Sequence, residues 1–251
     1  RVLGGYSLIR QAGALGSVRL ISLNATPLTV FSDNRDIFHR HVYFGKQHIC
    51  VGTNFVITQA DVSSLLEALV PGNYWKCDSL LELAFNCTPS NLHAPHDLLN
   101  LVRYEQEHDF LMFREGFTQG VGRLIEAVSA ERCAVANAFG ISPMPFIEYE
   151  RRAYGFDGID IVDNRRQHPA LIHVPAPKGL FACKGVEDIL CALVPLSEFG
   201  QRVAVPTPTI DALILLWSAY LGENLREAGR SLKVLGFDTC TPAEIKDACL
   251  G

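Results

Sequence analysis

Apolar positions are distributed differently in the two parts of the chain, in short runs before residue 91 and at helical spacing after it. Val18–Leu23, Leu28–Phe31, His41–Phe44, His48–Val51 and Asn54–Ile57 are β-branched or aromatic runs of strand length, separated by Gly, Asn and Asp, and each predicts a strand. Asp61–Val70 switches to a helical pattern, opened by Asp61 as a cap and stopped by Pro71-Gly72. Further on, helices are predicted over Asp97–Glu107, Thr118–Phe139, Glu187–Phe199 ending at Gly200, and Thr207–Leu225. In the longest, Val121, Leu124, Ile125, Val128, Val135 and Ala138 fall near a 3.6-residue period, and Gly140 supplies the left-handed residue that closes a helix. Ser142–Gly179 is rich in Pro, Gly, Asp and Arg and reads as a long, partly ordered connection. The fold class expected is an α/β portion over residues 1–90 followed by a mainly α-helical domain over 91–251.

Composition narrows the partners. With 22 Lys plus Arg against 27 Asp plus Glu the net charge is -5, which offers no basic footprint for a nucleic acid or an anionic membrane. The 8 cysteines form no C-x-x-C pair, and several sit in apolar runs such as Ile189–Leu193, so they are expected to be buried, reduced thiols of an intracellular protein. Residues 1–17 lack the apolar core of a secretory signal, and the apolar stretch Ile210–Leu221 contains Asp211 and falls short of the ~20 residues of a membrane span. The expectation is a soluble, cytoplasmic protein. Because the first residue is Arg1, the natural chain is expected to extend upstream.

Familiar catalytic signatures are missing. Gly120-Val-Gly122 begins a G-x-G-x-x-G pattern, but Ile125 ends it and the run lies in a predicted helix, whereas a dinucleotide fingerprint needs a strand-to-helix turn. There is no P-loop, no G-x-S-x-G elbow and no H-E-x-x-H. His39, His41 and His48 read as edge-strand histidines rather than metal ligands, and no metal is expected. His93 and His96 lie at the junction of the two parts, where sites tend to form. From pattern alone, His96 or Asp97 could equally cap a helix and His93 could satisfy a backbone carbonyl.

The words His93-Ala-Pro-His-Asp-Leu-Leu-Asn100, Phe113-Arg-Glu-Gly-Phe-Thr118, Gly120-Val-Gly-Arg-Leu-Ile-Glu126, Ala130-Glu-Arg-Cys-Ala-Val135, Val186-Glu-Asp-Ile189, Val205-Pro-Thr-Pro208 and Glu227-Ala-Gly-Arg-Ser-Leu232 together resemble the octopine/nopaline dehydrogenase family over about residues 86 to 236. The resemblance implies an opine dehydrogenase. Such an enzyme condenses an amino acid with a 2-oxo acid such as pyruvate and reduces the imine with NAD or NADP as the nicotinamide cofactor. It also implies a Rossmann domain, of which residues 1–90 would be the later, incomplete part, and a helical domain with substrates bound between the two. His93 matches the family's catalytic histidine and Asp188 its partner aspartate. Asp188 read without the resemblance is an N-cap. Asn91 and Lys184 are the expected substrate-binding residues.

The chemistry suits these types, because imine formation needs a proton shuttle working near neutral pH and an aspartate that fixes its tautomer. Two departures stand out. The family's substrate-binding Arg, five residues before the Asp, is replaced by Cys183, with Lys184 beside it; and the glycine-rich turn is absent, so these 251 residues alone are expected to bind NAD(P)H poorly. Two alternatives stay open: a helical binding or dimerisation module, and a cofactor-independent acid/base enzyme using His93 and Asp188. The assembly is left between monomer and homodimer.

Overall fold

The computed structural model describes residues 2–14, 16–33, 36–169, 171–179 and 184–250, without the side chains of 2, 28–33, 36–45 and 89. The chain opens with a helix, α1 (Val2–Gln11), and continues through β1 (Ile21–Leu23), β2 (Leu28–Asp33), β3 (Asp36–Gly45), β4 (Ile49–Thr53), α2 (Gln59–Glu67), β5 (Tyr74–Lys76) and α3 (Leu80–Phe85). β1 runs antiparallel to β4, pairing Ile21 with Thr53, and β4 runs parallel to β5, pairing Ile49 with Tyr74. β4–α2–β5 is therefore a βαβ unit, the incomplete Rossmann-like sheet expected of this portion. β2 and β3 form a separate antiparallel pair. A small core of Ile49, Val51, Val62, Leu66 and Tyr74 holds the sheet to α2.

Several local expectations need correction. Asn54–Ile57 is a loop: the Asn54 side chain donates to Val18 O and accepts from Leu20 N, so it splices the loop to the chain before β1 instead of joining the ladder. The cap of α2 is Thr58, which accepts from Asp61 N; Asp61 sits inside the first turn. α1, β5 and α3 were not predicted. α1 contains Gly4 and Gly5 and owes its helix to packing: Leu3 and Tyr6 are buried, the Tyr6 hydroxyl donates to Ala248 O and Ser7 donates to Leu235 O at 2.8 Å.

Beyond residue 91 the protein is helical, as expected: α4 (His93–Leu98), α5 (Leu101–Glu105), α6 (Gln119–Ala138), α7 (Phe146–Tyr154), α8 (Ile161–Gln167), α9 (Gly185–Asp188), a π-helical turn (Ile189–Leu193), α10 (Val194–Arg202), α11 (Pro208–Leu221), α12 (Leu225–Ala228) and α13 (Pro242–Ala248). α6 has the Thr118 cap and the left-handed Gly140 (φ 71) that its sequence demands. The helix predicted over Asp97–Glu107 is two short ones. Asn100 breaks it by turning its amide back to His96 O and across to Gly116 O. Gly200 does not end its helix; it lies where a Cβ would meet Val205 O at 2.7 Å, so it is a packing glycine. Ser142–Gly179 is not loosely ordered, because α7 starts after Pro145 and ends on the left-handed Gly155, and Asp160 caps α8 by accepting from Asp163 N.

The main core unites α1 and α3 with these helices, through Leu3, Leu81, Phe85, Val135, Phe139, Leu193, Phe199 and Trp217 among others. Cys50, Cys77 and Cys249 are buried thiols, and Cys50 and Cys77 share a hydrogen bond; Cys183 lies outside the described residues. No described helix is long and apolar enough to cross a membrane.

Candidate active site

Two short helices meet at the junction of the two parts of the chain. α4 and α9 are brought together by Asp97, which is almost wholly buried and whose Oδ2 accepts from Gly185 N at 2.9 Å while Oδ1 takes His96 Nδ1 at 2.8 Å and the Tyr104 hydroxyl at 3.2 Å. The far nitrogen of His96 meets Met112 O at 3.2 Å. Trp217 of α11 donates to Ala94 O at 2.9 Å, and its ring lies where a Cβ on Gly185 would come within 2.5 Å of it. His96 and Asp97 therefore do not cap α4. They lie inside it and dock α9 against it.

The docking places the first residue of α4 on the last residue of α9. Asp188 is fully buried; its Oδ2 accepts from His93 N at 3.2 Å and from His93 Nδ1 at 3.0 Å, across 95 residues of sequence. Asp188 is thus not a cap of its own helix, which runs on through it; it serves the N-terminus of α4 instead. A carboxylate only accepts, so Nδ1 carries the ring proton and Nε2 is the basic nitrogen of the neutral imidazole. The His93 side chain is 16% exposed, which gives the ring limited access to solvent while its partner has none. Immediately after Asp188 the helix widens into the π turn Ile189–Leu193. Pro195, which has no N–H and crowds the carbonyl four residues back, gives the local reason for that widening.

Neither of the other expected site residues, Lys184 and Asn91, shares in the His93–Asp188 side-chain hydrogen bonds. Lys184 is exposed and precedes α9, where its carbonyl accepts from Asp188 N at 3.1 Å. Asn91 is fully buried and lines a cavity bounded by α1, α3, α6 and the π turn; Arg132 and Arg230, which the sequence reading did not assign, line it too. His39 and His41 have side chains outside the described residues, and His48 is buried against the Trp75 ring at 5.4 Å. No group of three or more metal-ligating side chains occurs among the described residues.

Among the described residues, the β4–α2–β5 unit does not fit the pyrophosphate of a nicotinamide dinucleotide. In the β4–α2–β5 unit the turn Asn54–Thr58 holds no glycine, and Gly52 of β4 faces Leu83 and Leu80, where a Cβ would approach to 3.0 Å.

Residues 76–221 match the family model described as NAD/NADP octopine/nopaline dehydrogenase, alpha-helical domain. An opine dehydrogenase of Arthrobacter sp. (strain 1C) is 35% identical over 175 residues, which cover 70% of this chain and 49% of that protein. The chain thus spans about half the length of that relative. Octopine dehydrogenase, solved with NADH and L-arginine, shares the fold with a TM-score of 0.67 at 17% identity, over 92% of this chain and 65% of that one. Apo yersinopine dehydrogenase does so with a TM-score of 0.67 at 15% identity, over 98% and 68%. By the family match across its helical part, the chain belongs to the NAD/NADP octopine/nopaline dehydrogenase family.

Proposed function

We propose that this chain carries the acid/base half of an opine dehydrogenase, an oxidoreductase that joins the amine of an amino acid to a 2-oxo acid and reduces the resulting imine with NAD(P)H. The observation that carries the reading is the His93–Asp188 pair, a partly accessible imidazole held through Nδ1 by a fully buried carboxylate. Residues 1–90 are the later part of the dinucleotide half and 91–251 the catalytic half.

In this reading the amine attacks the carbonyl carbon to give a carbinolamine. His93, protonated at Nε2, donates that proton to the departing hydroxyl, which leaves as water; the neutral ring then takes up the proton released from nitrogen. Asp188 stabilises the imidazolium and fixes the ring's orientation. The described residues offer no cradle for the hydride donor, so no hydride step is assigned to them.

Two measurements test the reading. The first is NAD(P)H oxidation with pyruvate or 2-oxoglutarate and a panel of amino acids. The second is exchange of ¹⁸O between water and the pyruvate carbonyl in the presence of the amino acid, which follows carbinolamine chemistry without a dinucleotide. His93→Ala is expected to lower the exchange rate by about 10²-fold or more; an unchanged rate excludes the role given to His93. Exchange that proceeds equally fast without the amino acid would favour the cofactor-independent acid/base enzyme.

A further inference from the structure

Buried polar groups at the α4–α9 junction are hydrogen-bonded, whereas two residues on the wall of the neighbouring cavity keep unpaired polar atoms. Asn91 is fully buried, and neither its Oδ1 nor its Nδ2 has a partner among the described residues. Arg132 is 2% exposed; its terminal nitrogens donate to Phe85 O and Met144 O, while its Nε is left without an acceptor. No carboxylate pairs with Arg132 among the described residues, and burial pulls its pKa down from the ordinary guanidinium value against smaller opposing effects of Cys133 and Cys87. A second cation, Arg230, lines the same cavity from a half-buried position against Gly4. Among the described residues no Asp or Glu lines it, and the remaining wall is largely apolar, with Leu81, Phe85 and Phe199.

Leaving such groups unpaired costs about 1–3 kcal/mol each, and more for a charge. The deficit is mainly one of acceptors: Arg132 Nε and Asn91 Nδ2 are donors and the two guanidinium groups are positive, against one unpaired acceptor, Asn91 Oδ1, and a largely hydrocarbon wall. An anion with oxygen acceptors and a short apolar body satisfies the donors, the positive charge and the wall. The cavity, about 60 Å³, limits that body to a few atoms. Two of its wall residues are close in the chain to the dyad, Asn91 two residues before His93 and Cys191 three after Asp188, although His93 and Asp188 are not themselves on the described wall.

We propose that this cavity is a carboxylate subsite, in which Arg132 Nε and the Asn91 amide hold the carboxylate of a short 2-oxo acid such as pyruvate while Arg230 draws the anion in. The assignment to a 2-oxo acid rests on the function proposed above. Binding of a small carboxylate as such does not.

Pyruvate and its uncharged ester, methyl pyruvate, are titrated into the 251-residue protein by calorimetry, with the ¹⁵N–¹H resonance of Arg132 Nε reporting the site. Pyruvate is expected to bind about ten-fold or more tightly than the ester and to shift that resonance, as a charge-assisted hydrogen bond requires. Asn91→Leu breaks no hydrogen bond in the fold, so the variant should be at least as stable as the parent while binding pyruvate about ten-fold more weakly. Equal affinity for pyruvate and methyl pyruvate overturns the subsite, as does an Arg132 resonance that does not move. These wild-type readouts stand whether or not the variant folds. His93→Ala should retain pyruvate affinity while losing ¹⁸O exchange. Loss of the acid/base reading would appear in exchange alone, and loss of the subsite in binding alone.

Discussion

The α4–α9 junction and the cavity beside it are built from similar polar residues and similarly buried, yet one is saturated with hydrogen bonds and the other is not. At the junction, Asp97 meets His96, Tyr104 and Gly185, while Asn100 meets His96 and Gly116. At the cavity, Asn91 meets nothing among the described residues and Arg132 keeps a donor in reserve. Burial alone therefore does not distinguish a structural polar group from a binding one. A saturated network positions: it fixes where the His93 ring stands. An unsaturated one waits for a partner from outside the chain.

The sharpest break in that comparison is Asp97→Ala. It removes a buried carboxylate together with its hydrogen bonds to His96 Nδ1, the Tyr104 hydroxyl and Gly185 N, so a loss of about 3–5 kcal/mol in urea unfolding is expected. A loss below about 1 kcal/mol would show that the junction does not depend on its saturation.

Lys46 is an intermediate case, buried with its ammonium on Thr26 O at 2.7 Å and its pKa lowered to about 8 by burial first, and then by Arg165. The folded state releases this proton near pH 8 and the unfolded chain only near its ordinary 10.5, so between these values the unfolded state binds the extra proton. The penalty of the buried charge is fully present below about pH 8 and relieved as pH rises toward 10.5, an effect of about 3 kcal/mol in all. Unfolding free energies measured from pH 7 to 10 should rise with pH in the wild type relative to Lys46→Met; parallel curves would remove Lys46 from the account. The smallest effect is that of Gly185→Ala, whose methyl must push Trp217 or α9 aside. A cost of about 1–3 kcal/mol is expected in stability, together with a weaker His93–Asp188 contact seen as slower ¹⁸O exchange. Unchanged exchange would show that the dyad tolerates a shifted α9.

Legibility followed the range of the interactions. α6 could be read because its apolar stripe, Thr118 cap and Gly140 stop lie within one segment. α3 carried a readable start in Ser79 and Glu82, whose backbone N–H the Ser79 hydroxyl caps, but its short length hid it. α1 was not readable, since two glycines weaken its local preference and its stability comes from α3 and from residues more than two hundred positions away. α7 and α8 were masked by the Pro and Gly that in fact delimit them. The pairing of His93 with Asp188 came from family resemblance and not from local pattern, because nothing within either segment specifies a partner 95 residues distant.

The amino-acid sequence by itself thus determined the change from strands to helices near residue 91, the capped long helix and the family words around His93 and Asp188, since each depends on periodicity or on residues a few positions apart. Only the tertiary structure decided that Asp188 serves α4 rather than its own helix, that Asp97 docks α9 and that Asn91 and Arg132 share one unsatisfied cavity. The physical reason is that a buried polar group's state depends on every partner within about 3 Å, and a folded chain supplies those partners from segments its sequence keeps far apart.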